Sequence, residues 1–397
     1  MPENTPPPAA PHHLRASDLR AAAHLLTQAT RGVAHIVEGV HHAVLDRVGL
    51  PVSPQPGKTR GITGMVYRSV HGITDWVGAT TDVALKKLQP LLGAAEPDSP
   101  ASRQREAVLA ALNGVMGDRL AASGNPLATP MAFWHGGRAL DLSKPLSVPE
   151  ARPTLLLMLH GLCRNDQQWN TEHEGQPVNH GETLARALGH TPLYLRYNTG
   201  LPIARNGQLL ADQLEQLLDR WPVPPQGLSV LAHSMGGLLI RHAVHHAQTH
   251  GQRWPKHLKH IVFLGTPHHG APLERAGHGV DQLLDATPWT APLARLGRLR
   301  SAGITDLRHG TDLPLPAGVH CLAVAATTAG RRSLLADRLI GDGLVPLRSA
   351  LGQHDDPARC LAFAPENQML VYRTHHMQLL SDPAVGEKVL GWLVMNA

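Results

Sequence analysis

The chain has 397 residues, of which 42% are hydrophobic, 17% charged and 4% aromatic, a balance that fits a globular protein and excludes a largely disordered one. Its net charge of +5 is scattered, and with few aromatic rings for base stacking the sequence argues against nucleic-acid binding. Cys163, Cys321 and Cys360 are too few and too irregularly spaced for a disulfide framework or a cysteine zinc site.

Residues 1–16 are rich in Pro and Ala and read as a disordered tail without the basic and apolar segments of a secretory leader, so a cytoplasmic chain is expected. No run of eighteen uncharged apolar residues offers a transmembrane helix. Leu19, Ala22, Leu26, Ala29, Val33, Ile36 and Val40 recur at spacings of three and four, which predicts an amphipathic helix over 18–50. After a breaker at 51–57, Ile62, Val66, Val70, Ile73, Val77 and Leu85 form a second stripe, and a third helix is expected over 103–122. Residues 17–122 thus read as a helical N-terminal region dispensable for chemistry. Its apolar faces must be covered by the main domain, a second copy or a membrane, and the basic balance favours peripheral contact with an anionic leaflet. His41, His42 and Asp46 resemble an acyltransferase His-His-X-X-X-Asp motif but read as a solvated helix face.

From residue 124 the pattern changes. A hairpin is expected over 131–142 around Gly136-Gly137, followed by strands over 154–159, 192–197, 228–232, 261–264, 319–325 and 369–372. Helices over 206–221 and 235–250 fall between them. Short apolar runs alternating with helices predict an α/β fold, a mostly parallel central sheet with helices on both faces, over 124–397. The stretch 268–316, rich in Pro and Gly, is expected to be a cap or lid, with Leu283, Leu284, Leu293, Leu296 and Leu299 lining an acyl channel, forming a lid with an apolar face toward a lipid surface, or merely covering the core.

The strongest chemical signal is the apolar run 228–231 leading into Ala232-His233-Ser234-Met235-Gly236-Gly237 and then a helix. A sharp strand-to-helix turn needs small residues two before and two after a serine, and Ala232 and Gly236 meet that need. Such a turn exposes the hydroxyl of Ser234 as a nucleophile; the alternative is a serine that merely caps a helix. The strand 154–159 ends in His160-Gly161-Leu162, a place for a loop that presents a backbone N–H to a developing oxyanion. Leu162 and Met235 are the expected donors, with His160 and Gly161 shaping the loop.

A serine hydroxyl needs a histidine to take its proton and a carboxylate to orient that histidine, in the chain order Ser, Asp, His for this fold. Asp342, between Gly341 and Gly343 after a strand, is the expected acid; Asp337, Asp355 and Asp356 are the rivals, and a simple turn aspartate is the plainer reading. The last strand ends in Thr374-His375-His376-Met377 before a Leu-Leu-rich helix. His376 is the expected base and His375 the alternative. His242, His245, His246 and His250 share a helix stripe, expected to face solvent rather than a metal. Cys163 is expected to be an inert, partly buried thiol.

Taken together, His160-Gly161-Leu162, Tyr197-Asn198-Thr199-Gly200, the serine turn, Gly265-Thr266-Pro267-His268-His269-Gly270, Asp342-Gly343-Leu344-Val345 and His376-Met377 resemble the bacterial lipase and esterase branch of the α/β-hydrolases, including lipases related to the GPI inositol-deacylases. The resemblance covers about residues 125–397. It implies a carboxylic ester hydrolase acting through a Ser-His-Asp triad and an acyl-enzyme on an ester or lipid substrate, with no cofactor and no metal. A thioesterase, a polyester depolymerase, an acyltransferase or a catalytically idle lipid-docking domain are the alternatives on the same fold. The Thr266-Pro267-His268-X-Gly270 segment is expected to shape the pocket wall.

Overall fold

The computed structural model describes residues 103–271, 301–330 and 341–397. The tail 1–16, the stripes of 18–50 and 62–85, the His41 motif, Asp337 and the five cap leucines lie outside the described residues, as does most of the expected cap.

Among the described residues an eight-stranded sheet forms the centre, in the order β10-β9-β8-β7-β3-β6-β1-β2. The hairpin β1 (Ala132–His135) and β2 (Arg138–Ala139) runs antiparallel at one edge. The remaining strands are parallel: β3 (Thr154–Leu159), β6 (Thr191–Arg196), β7 (Gly227–His233), β8 (Leu258–Leu264), β9 (His320–Thr327) and β10 (Gln368–Tyr372). A separate hairpin pairs β4 (Thr171–His173) with β5 (Gln176–Val178).

Every residue of β7 is buried, as a parallel strand covered on both faces requires. Alternate side chains go to opposite faces. Leu155, Leu157, Leu159, Val230, Ala232, Ile261, Phe263, Ala323 and Ala325 face one core layer. Leu156, Met158, Leu231, Val262, Leu264, Leu322, Val324 and Ala326 face the other. The first layer is closed by α3 (Ile203–Asp219), with Leu210, Leu214 and Leu217 on its buried stripe, and by α4 (Met235–Thr249). The second is closed by α2 (His180–Leu188) and the C-terminal α7 (Pro383–Met395), through Leu184, Val385, Val389 and Trp392. Two short helices, α5 (Ala302–His309) and α6 (Leu347–Ala350), complete the frame.

The helix expected over 103–122 is present as α1 (Arg103–Ala122). From Glu106 onward it belongs to the same compact unit as the sheet, and Ala111 and Val115 sit in the first core layer. Its backbone comes close enough to Asn198 and Cys163 that only Gly117 and Gly114 fit there. This part of the helix is core of the unit that carries the sheet. Among the described residues no helix is long and apolar enough to cross a membrane.

Candidate active site

The parallel strands end together: Leu159 stands beside Ala232, and Ala232 beside Phe263. The loops that leave this edge carry His160 after β3, Ser234 after β7, Thr266 after β8, Asp342 after β9 and His376 after β10. Sequence order spreads to both sides of the β7/β3 pair, so the edge is a topological switch point, where open α/β sheets bind ligands.

Ser234 links β7 to α4 with φ 55° and ψ −123°, a left-handed conformation that costs a non-glycine residue energy. Its side chain makes no cap hydrogen bond, which removes the helix-cap reading. The Ser234 N–H donates to the Leu264 carbonyl at 2.9 Å, tying the turn to β8. A Cβ on Gly236 would stand 2.7 Å from the Leu159 carbonyl oxygen, so the small residue two beyond the serine is a steric requirement.

Asp342 and His376 meet. The His376 Nδ1–H donates to Asp342 Oδ2 at 2.6 Å, with both side chains almost fully buried. The backbone N–H of His376 also donates to the Asp342 carbonyl at 3.0 Å. The second carboxylate oxygen, Oδ1, accepts from the N–H groups of Leu344 at 3.0 Å and Val345 at 2.8 Å. Asp342 is therefore a turn aspartate and a histidine partner at once: the turn fixes one oxygen and thereby aims the other. Gly341 has φ 49°, and a side chain there would collide with the Val345 carbonyl oxygen that closes the turn. Asp355 is exposed and pairs with Arg348, and Asp356 caps a short 3-10 turn through Ala358. His375 is exposed, its backbone N–H held by Gln378 Oε1 at 2.7 Å.

His376 lies against Gly265, which follows Leu264, the strand residue that accepts from the Ser234 N–H. A Cβ on Gly265 would lie 3.1 Å from the His376 ring. The His376 ring also lies against that of His233, the centroids 4.6 Å apart.

In the loop after β3 the Gly161 N–H donates to Gln168 Oε1 at 3.3 Å and the Cys163 N–H to Thr199 Oγ1 at 3.2 Å. Between them, the N–H of buried Leu162 has no acceptor among the described residues. Met235 opens α4, where helix geometry leaves its N–H without an intrahelical acceptor. Each is thus free to donate to something else. His160 is fully buried under this loop. Its ring stacks on Tyr197 at 4.2 Å, its Nδ1 lies 3.0 Å from the Gly161 carbonyl, and its Nε2 accepts from the Tyr197 N–H at 3.3 Å. Burial pushes its pKa down to about 3, so it stays neutral and shapes the loop. Cys163 is buried and its thiol is pushed up to about 12 by burial, hence unreactive.

His268 is also fully buried, edge-on to Phe263, and its Nδ1 accepts from Arg241 Nη1 at 3.1 Å. The helix stripe divides. His245 and His250 are exposed and His246 lies 3.8 Å from Asp212, whereas His242 is packed beneath α3 beside Gly207 and pushed down to about 4 by burial. Among the described residues no group of three or more His, Cys, Asp or Glu is placed to hold a metal.

Sequence reasoning misses the support under the β3 loop. Arg196, at the end of β6, pairs with Glu106 of α1 at 2.6 Å and with Asp166 just past Leu162, all three side chains mostly buried. Separations of 90 and 30 residues leave no local signature of that triad. His233 is missed too, although it stands inside the serine motif.

A mostly parallel sheet of this order, with a left-handed serine between its central strand and the next helix, is the α/β-hydrolase fold. Residues 156–312 match the family model of the PGAP1-like alpha/beta domain. No curated protein matches the sequence. Among solved structures the chain is similar to the lipase BlEst2 of Bacillus licheniformis in its propeptide form, at 17% identity and a TM-score of 0.43, over 63% of this chain and 52% of that one. The chain thus spans about half the length of that relative. The mature form of the same lipase gives 16% identity and a TM-score of 0.41, over 62% of this chain and 96% of that one. An alpha/beta hydrolase superfamily protein from Enterococcus faecalis gives 15% identity and a TM-score of 0.37, over 66% and 94%.

Proposed function

We propose that this chain is a serine hydrolase that cleaves carboxylic esters, with Ser234 as nucleophile, His376 as base and Asp342 as its orienting acid. One observation carries the reading: a buried Asp342–His376 hydrogen bond of 2.6 Å at the sheet edge where Ser234 occupies a left-handed strand-to-helix turn. A structural serine gains nothing from that strained conformation, and two adjacent buried polar side chains are costly unless put to use.

In the proposed reaction Ser234 Oγ attacks the ester carbonyl carbon while His376 Nε2 takes the hydroxyl proton. Asp342 holds Nδ1–H and offsets the charge of the imidazolium. The Leu162 and Met235 N–H groups donate to the oxygen as it gains charge, and the positive end of α4 favours the same charge. His376 then passes its proton to the departing alkoxide, which leaves as the alcohol. Water, deprotonated by His376, attacks the acyl-Ser234 ester and releases the acid.

Hydrolysis of short p-nitrophenyl esters by the full-length chain tests this. Ser234→Ala and His376→Ala should each lose several orders of magnitude in kcat/KM, roughly 10³-fold or more, while His375→Ala stays near wild type. Undiminished hydrolysis by Ser234→Ala would remove the serine from the chemistry.

A further inference from the structure

We propose that His233, the residue before the nucleophile, is a positioning residue that holds the loop of the histidine base against the nucleophile's own strand; this rests on the role proposed above for His376. His233 is 1% exposed, and its Nε2 lies 3.3 Å from the backbone carbonyl oxygen of His376. A carbonyl only accepts, so Nε2 carries the proton and Nδ1 is left with a bare lone pair. That lone pair finds no partner among the described residues and faces Gly161, whose Cβ position lies 3.2 Å away.

Both peptide groups of His376 are therefore held. Its N–H donates to the Asp342 carbonyl at 3.0 Å, and its carbonyl accepts from His233. The base is strung between the loop that carries the acid and the strand that carries the nucleophile. The His233 ring, 4.6 Å from that of His376 and tilted by 45°, also blocks one face of the imidazole. Such a fixed placement matters because a reacting group misplaced by about 1 Å can cost 10²-fold in rate.

Packing alone does not account for an imidazole here. A leucine would fill a buried site without leaving Nδ1 unsatisfied, which is the more stable choice for a purely structural residue. What the imidazole adds is the donor to the His376 carbonyl. Burial keeps its pKa well below the ordinary histidine value, so the ring places no second positive charge beside His376 when that group holds a proton.

The test uses the full-length chain with His233→Leu, which removes the donor, and His233→Gln, whose amide can still donate from a similar reach. Two readouts are needed. In ester hydrolysis, His233→Leu should lose roughly 100-fold in kcat with KM little changed, and His233→Gln should recover most of it. In spectra of the [15N]histidine-labelled protein, the Nδ1–H proton of His376, identified by its loss in Asp342→Asn, should exchange faster with water in His233→Leu and as in wild type in His233→Gln. If His233→Leu does not fold, His233→Asn, too short to reach the carbonyl, takes its place. Equal kcat in the two variants, or an Nδ1–H exchange rate that ignores the substitution, overturns the proposal. The exchange measurement does not depend on substrate: altered exchange in a chain whose wild type hydrolyses no ester would retain the tether and sink the esterase reading instead.

Discussion

Acid should unfold this domain steeply, and the slope follows from its buried histidines. His160, His233 and His268 are each 1% exposed or less. Burial lowers all three pKa values, His160 to about 3 and the other two well below 6.5. At pH 5 His160 is neutral in the folded chain and the other two are shifted in the same direction, whereas in the unfolded chain each titrates near 6.5 and holds a proton. The unfolded state therefore binds more protons below pH 6.5. Their contribution to stability is complete above that value and shrinks as the pH falls toward the folded pKa values. His160 alone gives a slope of about 1.4 kcal/mol per pH unit, and the other two groups steepen it. By pH 5 the loss from His160 alone is roughly 2 kcal/mol, a large share of the ~5–15 kcal/mol stability typical of a domain. Urea unfolding followed by circular dichroism from pH 7.5 to 4.5 measures that slope. His160→Gln should reduce it by about one proton. A stability constant to within about 1 kcal/mol between pH 7 and pH 5 would refute the reasoning.

Two further outcomes follow from the site and its support. Arg196→Met should cost about 3 kcal/mol, because the mostly buried Asp166 carboxylate loses its Arg196 partner and Glu106 loses one of its contacts, and thermal melts should drop by roughly 10 °C. The triple variant with Glu106→Gln and Asp166→Asn should regain most of this; a loss under about 1 kcal/mol in the single variant would mean the triad is idle. Asp342→Asn keeps an oxygen for the Leu344 and Val345 N–H groups, so the turn should hold while ester hydrolysis falls by roughly 10³–10⁴-fold. Activity within a factor of about ten of wild type would exclude Asp342 as the orienting acid.

The sheet was legible from the sequence because its strands are continuous apolar runs of the right length, such as 154–159, which matches β3 residue for residue. Strand ends shifted by one to three residues where polar residues continue the ladder, as Thr327 extends β9 and Lys259 and His260 extend β8. The serine turn, the Asp342 loop and the Thr374-His375-His376 loop could be read because small residues and chain order constrain them locally. The β4–β5 hairpin was not legible, its strands being three residues each, whereas α2 carries a legible apolar face, an Asn179 N-cap and a Gly189 C-cap that the strand pattern around it overshadowed. The role of α1 was hidden for a different reason. Its contacts with Cys163, Asn198 and Arg196 join positions tens of residues apart, and a helix stripe says that a face is buried without saying against what. His376 is favoured over His375 by the apolar Met377 and the Leu-Leu-rich segment after it, as in lipase-like sequences, and folding adds that His376 is buried and His375 exposed.

The central claim is that Ser234 is an activated nucleophile. Intact-mass and peptide mass spectrometry after treating the full-length chain with a fluorophosphonate measures this directly. A single adduct on the peptide containing Ser234, absent from Ser234→Ala and slowed in His376→Ala, is the expected result. A wild-type chain that remains unmodified, or one labelled elsewhere while Ser234 stays free, would contradict the account.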